Sequence, residues 1–289
     1  MAKATDGRGA AVTMRESIAH PARMCGVTLP GLCSVTLRAC SWQEVLQLAV
    51  AASLEAVEWG ADVHVLPGDL ETAGEVARRC ADAGVRCPSY GSYLWAGAGD
   101  GRGISAAAKV LDTAAALGAG TVRMWCRAGL EPQDATTEQR RAVARDIALV
   151  ADAADARGLS VALEHHPGTL TLDAASTCQL LEEVARPNVY AYWQPRPGGP
   201  ADVALAELVS LVDDLAHVHV FTWGPQGERF PLGDGAALWE PALALASDRT
   251  GRWAEPRVAY LEFVADDDPE RLAEDAVTLR RWLGRTPVG

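Results

Sequence analysis

The sequence predicts an α/β fold, a single-domain (β/α)8 TIM barrel, on three observations. Short β-branched or apolar runs alternate with longer Ala/Leu/Glu/Arg-rich segments at helical spacing, eight such pairs follow one another, and no glycine-rich dinucleotide turn follows the first strand. A chain of 289 residues with 49% hydrophobic content supplies enough apolar material for one large core, and barrels of about 250 residues form one domain. Residues 1–23 read as a flexible N-terminal tail and residues 24–289 as the barrel domain.

In chain order the predicted strands are Met24–Leu29, Ala56–Gly60, Arg86–Tyr90, Thr121–Trp125, Ser160–His165, Val189–Gln194, Ala216–Phe221 and Val258–Phe263. Each is a short apolar or β-branched run ending near a polar or glycine-rich loop. The helices expected between and after them are Trp42–Ala52, Leu70–Ala83, Ser105–Leu117, Glu138–Arg157, Ala174–Val184, Ala204–Leu211, Leu238–Ala246 and Pro269–Trp282. Ser41 with Glu44 three residues later has the spacing of a capping box, and Gly84 and Gly158 sit where helix-terminating glycines belong. The stretch GAGDGRG at Gly97–Gly103 lacks the GxGxxG spacing and reads as a flexible loop over the barrel mouth.

A formal charge of −12 and a pI near 5.0 oppose binding to phosphate backbones and anionic membranes, so nucleic acid and membrane partners are not expected and a small molecule is. The seven cysteines (Cys25, Cys33, Cys40, Cys80, Cys87, Cys126 and Cys178) include no C-x-x-C pair. Their odd number and irregular spacing suggest buried thiols in a reducing compartment. With no secretory h-region in residues 1–23 and no apolar run of about 18 residues, the expected location is cytoplasmic.

Barrel strands are buried on both faces, so a charged residue within one must be paired, metal-bound or at the open end. Period-2 alternation places Glu164 and His166 of VALEHH on one face, His217 and His219 of AHVHVF on one face, and Glu262 of VAYLEF with Tyr260. Gln194 ends strand six. Four consecutive strands thus bring Glu164, Gln194, His219 and Glu262 to one rim. Two carboxylates, an imidazole and an amide oxygen form a mixed N/O set for one divalent ion, Mn²⁺ first, with Mg²⁺, Zn²⁺ or Co²⁺ as alternatives. A single strand-end Glu is more often solvated or salt-bridged, and His217 and His165 read as core histidines.

On LEHH at strand five, HVH at strand seven, LGDG at Leu232–Gly235 and YLEF at strand eight, the chain from about Met24 to Leu283 resembles the xylose-isomerase-like, or sugar phosphate isomerase/epimerase, superfamily of TIM barrels, which also includes endonuclease IV. The stretches VEWGADVH (Val57–His64), SYGSY (Ser89–Tyr93) and VRMW (Val122–Trp125) look like a separate branch of it. The resemblance implies one divalent metal held by Glu164, His219 and Glu262, and an acid/base pair in Glu164 and Glu262. It departs at strand six, where the family shows Asp followed three residues later by His. Gln194 and Pro197 stand there, removing one negative charge from the site.

The expected activity is isomerisation or epimerisation of a sugar or keto-sugar through an enediolate, with Lewis-acid stabilisation by the metal. Arg123 and Trp125 share strand-four parity; His64 follows strand two; His166 lies two residues past Glu164; Trp223 follows strand seven in the inward phase. These five are the expected substrate contacts, although Arg123 also reads as a structural ion pair, with Glu58 on strand two as its balancing charge. Trp59 and Trp193 are out of phase and should pack beneath helices. The rival readings are a metal-assisted lyase or dehydratase on an oxidised sugar or related polyol, and a metal-free binding barrel. A nuclease fits poorly with the acidic charge. Oligomeric state stays open, with a homodimer as one arrangement that barrels of this family adopt.

Overall fold

The computed structural model describes residues 28–97, 104–248 and 251–285. In order they form β1 (Leu29–Cys33), α1 (Trp42–Ala51), β2 (Ala56–Gly60), α2 (Leu70–Asp82), β3 (Arg86–Ala96), α3 (Ile104–Leu117), β4 (Thr121–Cys126), α4 (Thr137–Asp155), β5 (Ser160–Glu164), α5 (Ala174–Val184), β6 (Val189–Trp193), α6 (Ala201–Leu211), β7 (Leu215–Val220), α7 (Ala236–Ser247), β8 (Val258–Leu261) and α8 (Leu272–Trp282). The eight strands pair in sequence order, all parallel, and β1 closes the barrel on β8 with Leu29 opposite Val258 and Gly31 opposite Tyr260. No described helix is long and apolar enough to cross a membrane.

The local signals act as their chemistry requires. Ser41 Oγ accepts from the Glu44 N–H while the Glu44 carboxylate accepts from the Ser41 N–H, closing a capping box on α1. Gly84 and Gly158 follow α2 and α4 at φ of 73° and 70°, a left-handed conformation that glycine adopts without steric penalty.

The core has two layers. Between strands and helices lie residues such as Trp59, Trp193, Trp239, Leu111 and Ile147, all fully buried. Trp59 and Trp193 thus pack outside the barrel, as their parity predicts, and Trp193 meets Trp239 of α7 edge-on at 5.9 Å. Inside the barrel, Tyr192 and Tyr260 stack at 6.2 Å in a cluster with small Ala56 and Ala162. His217 sits among them, its Nδ1 accepting from the Val258 N–H, and burial pushes its pKa down to about 3.

The first strand corrects the sequence reading. It begins at Leu29 instead of ending there, while Met24–Val27, like the residue 1–23 tail and most of the GAGDGRG stretch (98–103), lies outside the described residues. Pro30 and Gly31 look like turn residues, but both serve a strand. The Pro30 carbonyl accepts from the Glu55 N–H, so its missing N–H falls before β2 begins. Gly31 makes room for its neighbours: a Cβ there would lie 2.6 Å from Val258 Cγ1 and 2.7 Å from Tyr260 Cδ1. Elsewhere boundaries shift. Strand β3 runs on to Ala96, and α8 starts at Leu272 because the helical segment opens at Pro269 as a 3-10 turn, Pro269–Arg271, that leads into it.

Candidate functional site

The C-terminal ends of β5 to β8 form the mouth. Glu164 is the last residue of β5, His219 lies one residue before the end of β7, and Gln194 and Glu262 directly follow β6 and β8. The end of β8 is held by Thr36, whose hydroxyl donates to the Leu261 carbonyl and accepts from the Phe263 N–H at 2.8 Å, bracketing Glu262. Phe263 itself turns at φ 62°, a conformation that costs a non-glycine residue about 1–3 kcal/mol. The Gln194 carbonyl is fixed by His165, whose Nδ1 lies 2.9 Å away and must therefore carry the proton.

The four rim residues converge on one atom. His219 Nδ1 has Gln194 Oε1 at 3.2 Å, Glu262 Oε2 at 3.4 Å and Glu164 Oε1 at 3.6 Å. Ligand atoms of Glu164, His219 and Glu262 all lie within 4.8 Å of one another, and all three residues are buried. Three oxygens around one imidazole nitrogen are held there by positive charge, either the Nδ1 proton of an imidazolium or a cation in its place. These spacings match the edges of a coordination shell with ligands at about 2.1 Å, and the hard O/N donors suit Mn²⁺, Mg²⁺ or Zn²⁺, so the residues present fit a divalent ion. Cys33, Glu58 and His219 form a second close trio, but burial first, then Glu58, pushes the Cys33 thiol up to about 12. Cys33 donates to Glu58 Oε1 as a neutral group, so that trio is a hydrogen-bonded network.

Beneath the rim lies a buried ion-pair ladder. Arg123 Nε donates to Glu58 Oε1 at 3.1 Å, and its Nη1 donates to Glu164 Oε2, an oxygen that also accepts from Trp125 Nε1. Arg123 is 3% exposed. It is therefore engaged with the chain's own carboxylates and is not an open handle for substrate, and Glu58 balances it as strand parity suggests. Burial alone would raise the Glu164 carboxyl, but Arg123, then His219, bring it down to about 2. Glu262, with no arginine in contact, is raised by burial and by the nearby Glu164 charge. Burial opposes charge on His219, yet Glu262 and Glu58 lift it well above the usual imidazole value.

Of the other expected substrate residues, three line the mouth. Trp125 packs against Tyr93, Trp95 and His166 at 5.6, 5.4 and 4.9 Å, forming a half-buried aromatic wall beside Glu164. Trp223 lies 5.3 Å from the ring of Phe263, the residue after Glu262, with the Arg229 guanidinium over both rings. His64 is not brought to this group. Its Nδ1 lies 2.9 Å from Ser34 Oγ and its Nε2 3.2 Å from the Cys40 carbonyl, which ties it down beneath the loop after β1. Tyr93, Trp95 and Phe263 were missed in the sequence because β3 outruns its apparent end and because no residue pattern announces the left-handed turn at Phe263.

Comparison with known proteins agrees with this architecture. A family model described as xylose isomerase-like TIM barrel matches residues 46–282. Among curated proteins none matches the sequence. Similar solved structures include the probable 3-DHS dehydratase AsbF of petrobactin synthesis from Bacillus anthracis, with a TM-score of 0.72 and 17% identity over 87% of this chain and 98% of that one. An L-ribulose 3-epimerase superposes with a TM-score of 0.65 and 19% identity over 89% and 95%. A xylose isomerase-like TIM barrel protein from Mycobacterium smegmatis in complex with magnesium gives 0.62 and 15% over 84% and 88%. At these identities the likeness carries the fold alone.

Proposed function

Because the chain belongs to the xylose isomerase-like TIM barrel family, we propose that it is a divalent-metal-dependent isomerase or epimerase that moves a proton beside the carbonyl of a sugar or keto-sugar. The observation that carries the proposal is the convergence of Glu164, Gln194 and Glu262 oxygens on His219 Nδ1 at the barrel mouth. Glu164, Gln194, His219 and Glu262 would hold the ion. When bound, it supplies Lewis-acid stabilisation of the negative charge that develops on the substrate oxygen.

The chain's own residues divide the remaining work. Glu164 Oε2 is occupied by Arg123 and Trp125, which keeps that carboxylate ionised and fixed with Oε1 toward His219. Glu262 has contact with His219 but no arginine, and so is the better placed of the two carboxyls to take a proton from carbon and return it. Trp125 and His166 on one side, with Trp223 and Phe263 on the other, would bracket the apolar face of a sugar ring and exclude water. The substrate is read as a small carbohydrate, with no nucleic acid or membrane partner, in the cytoplasm.

The asymmetry of the carboxylates supports a second reading. One proton-transferring carboxyl suffices for a lyase or dehydratase, in which the enolate expels a leaving group. Incubation of the metal-loaded protein with ketoses and with keto-polyol acids in deuterated water tests both. Uptake of deuterium without other mass change supports isomerisation or epimerisation, and loss of the mass of water supports elimination. Neither event across such a panel, with metal bound, contradicts the proposal.

A further inference from the structure

We propose that Glu58, on a strand that contributes no residue to the proposed ligand set, is the positioning residue of the metal centre: it sets which nitrogen of His219 faces the ion and, through Arg123, where Glu164 stands. This rests on the metal reading above. Glu58 is wholly buried, and five donors converge on it. Oε1 receives Cys33 Sγ at 3.3 Å, Arg123 Nε at 3.1 Å and His219 Nε2 at 3.2 Å; Oε2 receives Ser89 Oγ at 2.7 Å and Tyr192 Oη at 2.6 Å.

The consequence for His219 is chemical. A carboxylate acceptor at Nε2 holds the Nε2 proton in place, so the proton that an ion would displace is the one on Nδ1, on the side where the three rim oxygens gather. A ligating histidine whose other nitrogen donates to a carboxylate is oriented and made more basic by it. The same Glu58 oxygen holds Arg123, and Arg123 in turn holds Glu164 Oε2. One carboxylate on β2 therefore fixes ligands on β5 and β7.

Gly91 supports this reading from a third strand. A Cβ at position 91 would lie 2.8 Å from Glu58 Oε1 and 2.9 Å from Arg123 Nη2, so only glycine leaves the two side chains where they meet. Its backbone is not in the left-handed region. Alanine there displaces the Glu58–Arg123 pair without touching any proposed ligand.

The test measures affinity for Mn²⁺ and Zn²⁺ by calorimetry on chelator-treated full-length protein, comparing wild type, Glu58→Gln and Gly91→Ala, with a melting curve of each apo form. Loss of a histidine's carboxylate partner lowers metal affinity by roughly 10–100-fold, and both variants should show it. On ¹⁵N-histidine-labelled, Zn²⁺-loaded protein, the His219 Nε2 proton should be visible and slow to exchange in wild type and fast in the variants. A merely structural role would move the melting curve alone. Glutamine places an NH2 among donors on every side, so if Glu58→Gln fails to fold, Gly91→Ala decides. Wild-type affinity and slow Nε2–H exchange retained in a folded Gly91→Ala whose Glu58–Arg123 pair is displaced, or in a folded Glu58→Gln, overturns the inference while leaving the metal centre intact. No binding by wild type overturns the metal centre itself and this inference with it.

Discussion

Arg123→Met replaces a buried guanidinium with an apolar side chain of comparable length and leaves Glu58 and Glu164, 0% and 2% exposed, without their cation. Removing one partner of a buried ion pair costs about 3–5 kcal/mol, because the remaining charge stays desolvated. The Glu164 carboxyl is brought from the usual 4.5 down to about 2, and at about 1.4 kcal/mol per pH unit this contributes about 3 kcal/mol. The sign follows from a depressed folded-state value: the contribution is complete above pH 4.5 and is lost as pH falls toward 2. Wild-type stability, measured by urea unfolding of chelator-treated protein, should therefore drop by about 3 kcal/mol across that window from this group alone. Arg123→Met should already have lost 3–5 kcal/mol at pH 7, and should hold steady or gain as pH falls from 7 to 5, where the stranded carboxyls take up protons. A loss below about 1 kcal/mol at pH 7 with the wild-type acid limb intact would refute a buried ladder and return Arg123 to the role of an open substrate handle.

Gly31→Ala should cost about 1–3 kcal/mol in denaturant unfolding, since its Cβ would press on Val258 and Tyr260 inside the barrel. Ser41→Ala should cost about 1 kcal/mol by removing the α1 capping box, with no effect on metal binding. Glu262→Gln keeps an amide oxygen toward His219 but loses the carboxylate proposed to accept the proton; exchange of substrate deuterium should fall roughly 10²–10⁴-fold with metal retained. Exchange within a few-fold of wild type would move the proton-transfer role elsewhere. Trp125→Phe preserves the aromatic wall but removes one of the two donors on Glu164 Oε2, so it should weaken metal affinity more than it alters substrate KM.

The barrel was legible because alternation of apolar runs and helical periodicity recurs eight times, and no single ambiguous boundary upsets such a count. The first strand was misplaced because Pro30 and Gly31 carry turn chemistry locally, while their reasons for being there, a ladder position before β2 and a close approach by Tyr260, are tertiary. Period-2 parity brought Glu164, Gln194, His219 and Glu262 to one rim, and it also placed Glu58 inward opposite Arg123. Parity gives the face of a residue but not its reach across the barrel. It therefore showed neither that Arg123 spans from Glu58 to Glu164 nor that Glu58 meets His219 from the far strand. His64 illustrates the converse: a histidine just past a strand end satisfies both ring nitrogens within its own loop environment, and sequence position alone does not reveal the partners.

The central claim is that four side chains at the mouth hold one divalent ion, and elemental analysis of the purified protein for Mn, Mg, Zn, Fe, Co and Ni tests it most directly, with a Glu164→Ala/Glu262→Ala variant beside it. Near-stoichiometric metal in the wild type, absent from the folded variant, is the predicted result. No metal in the wild type even after reconstitution, or equal metal in both proteins, would contradict it.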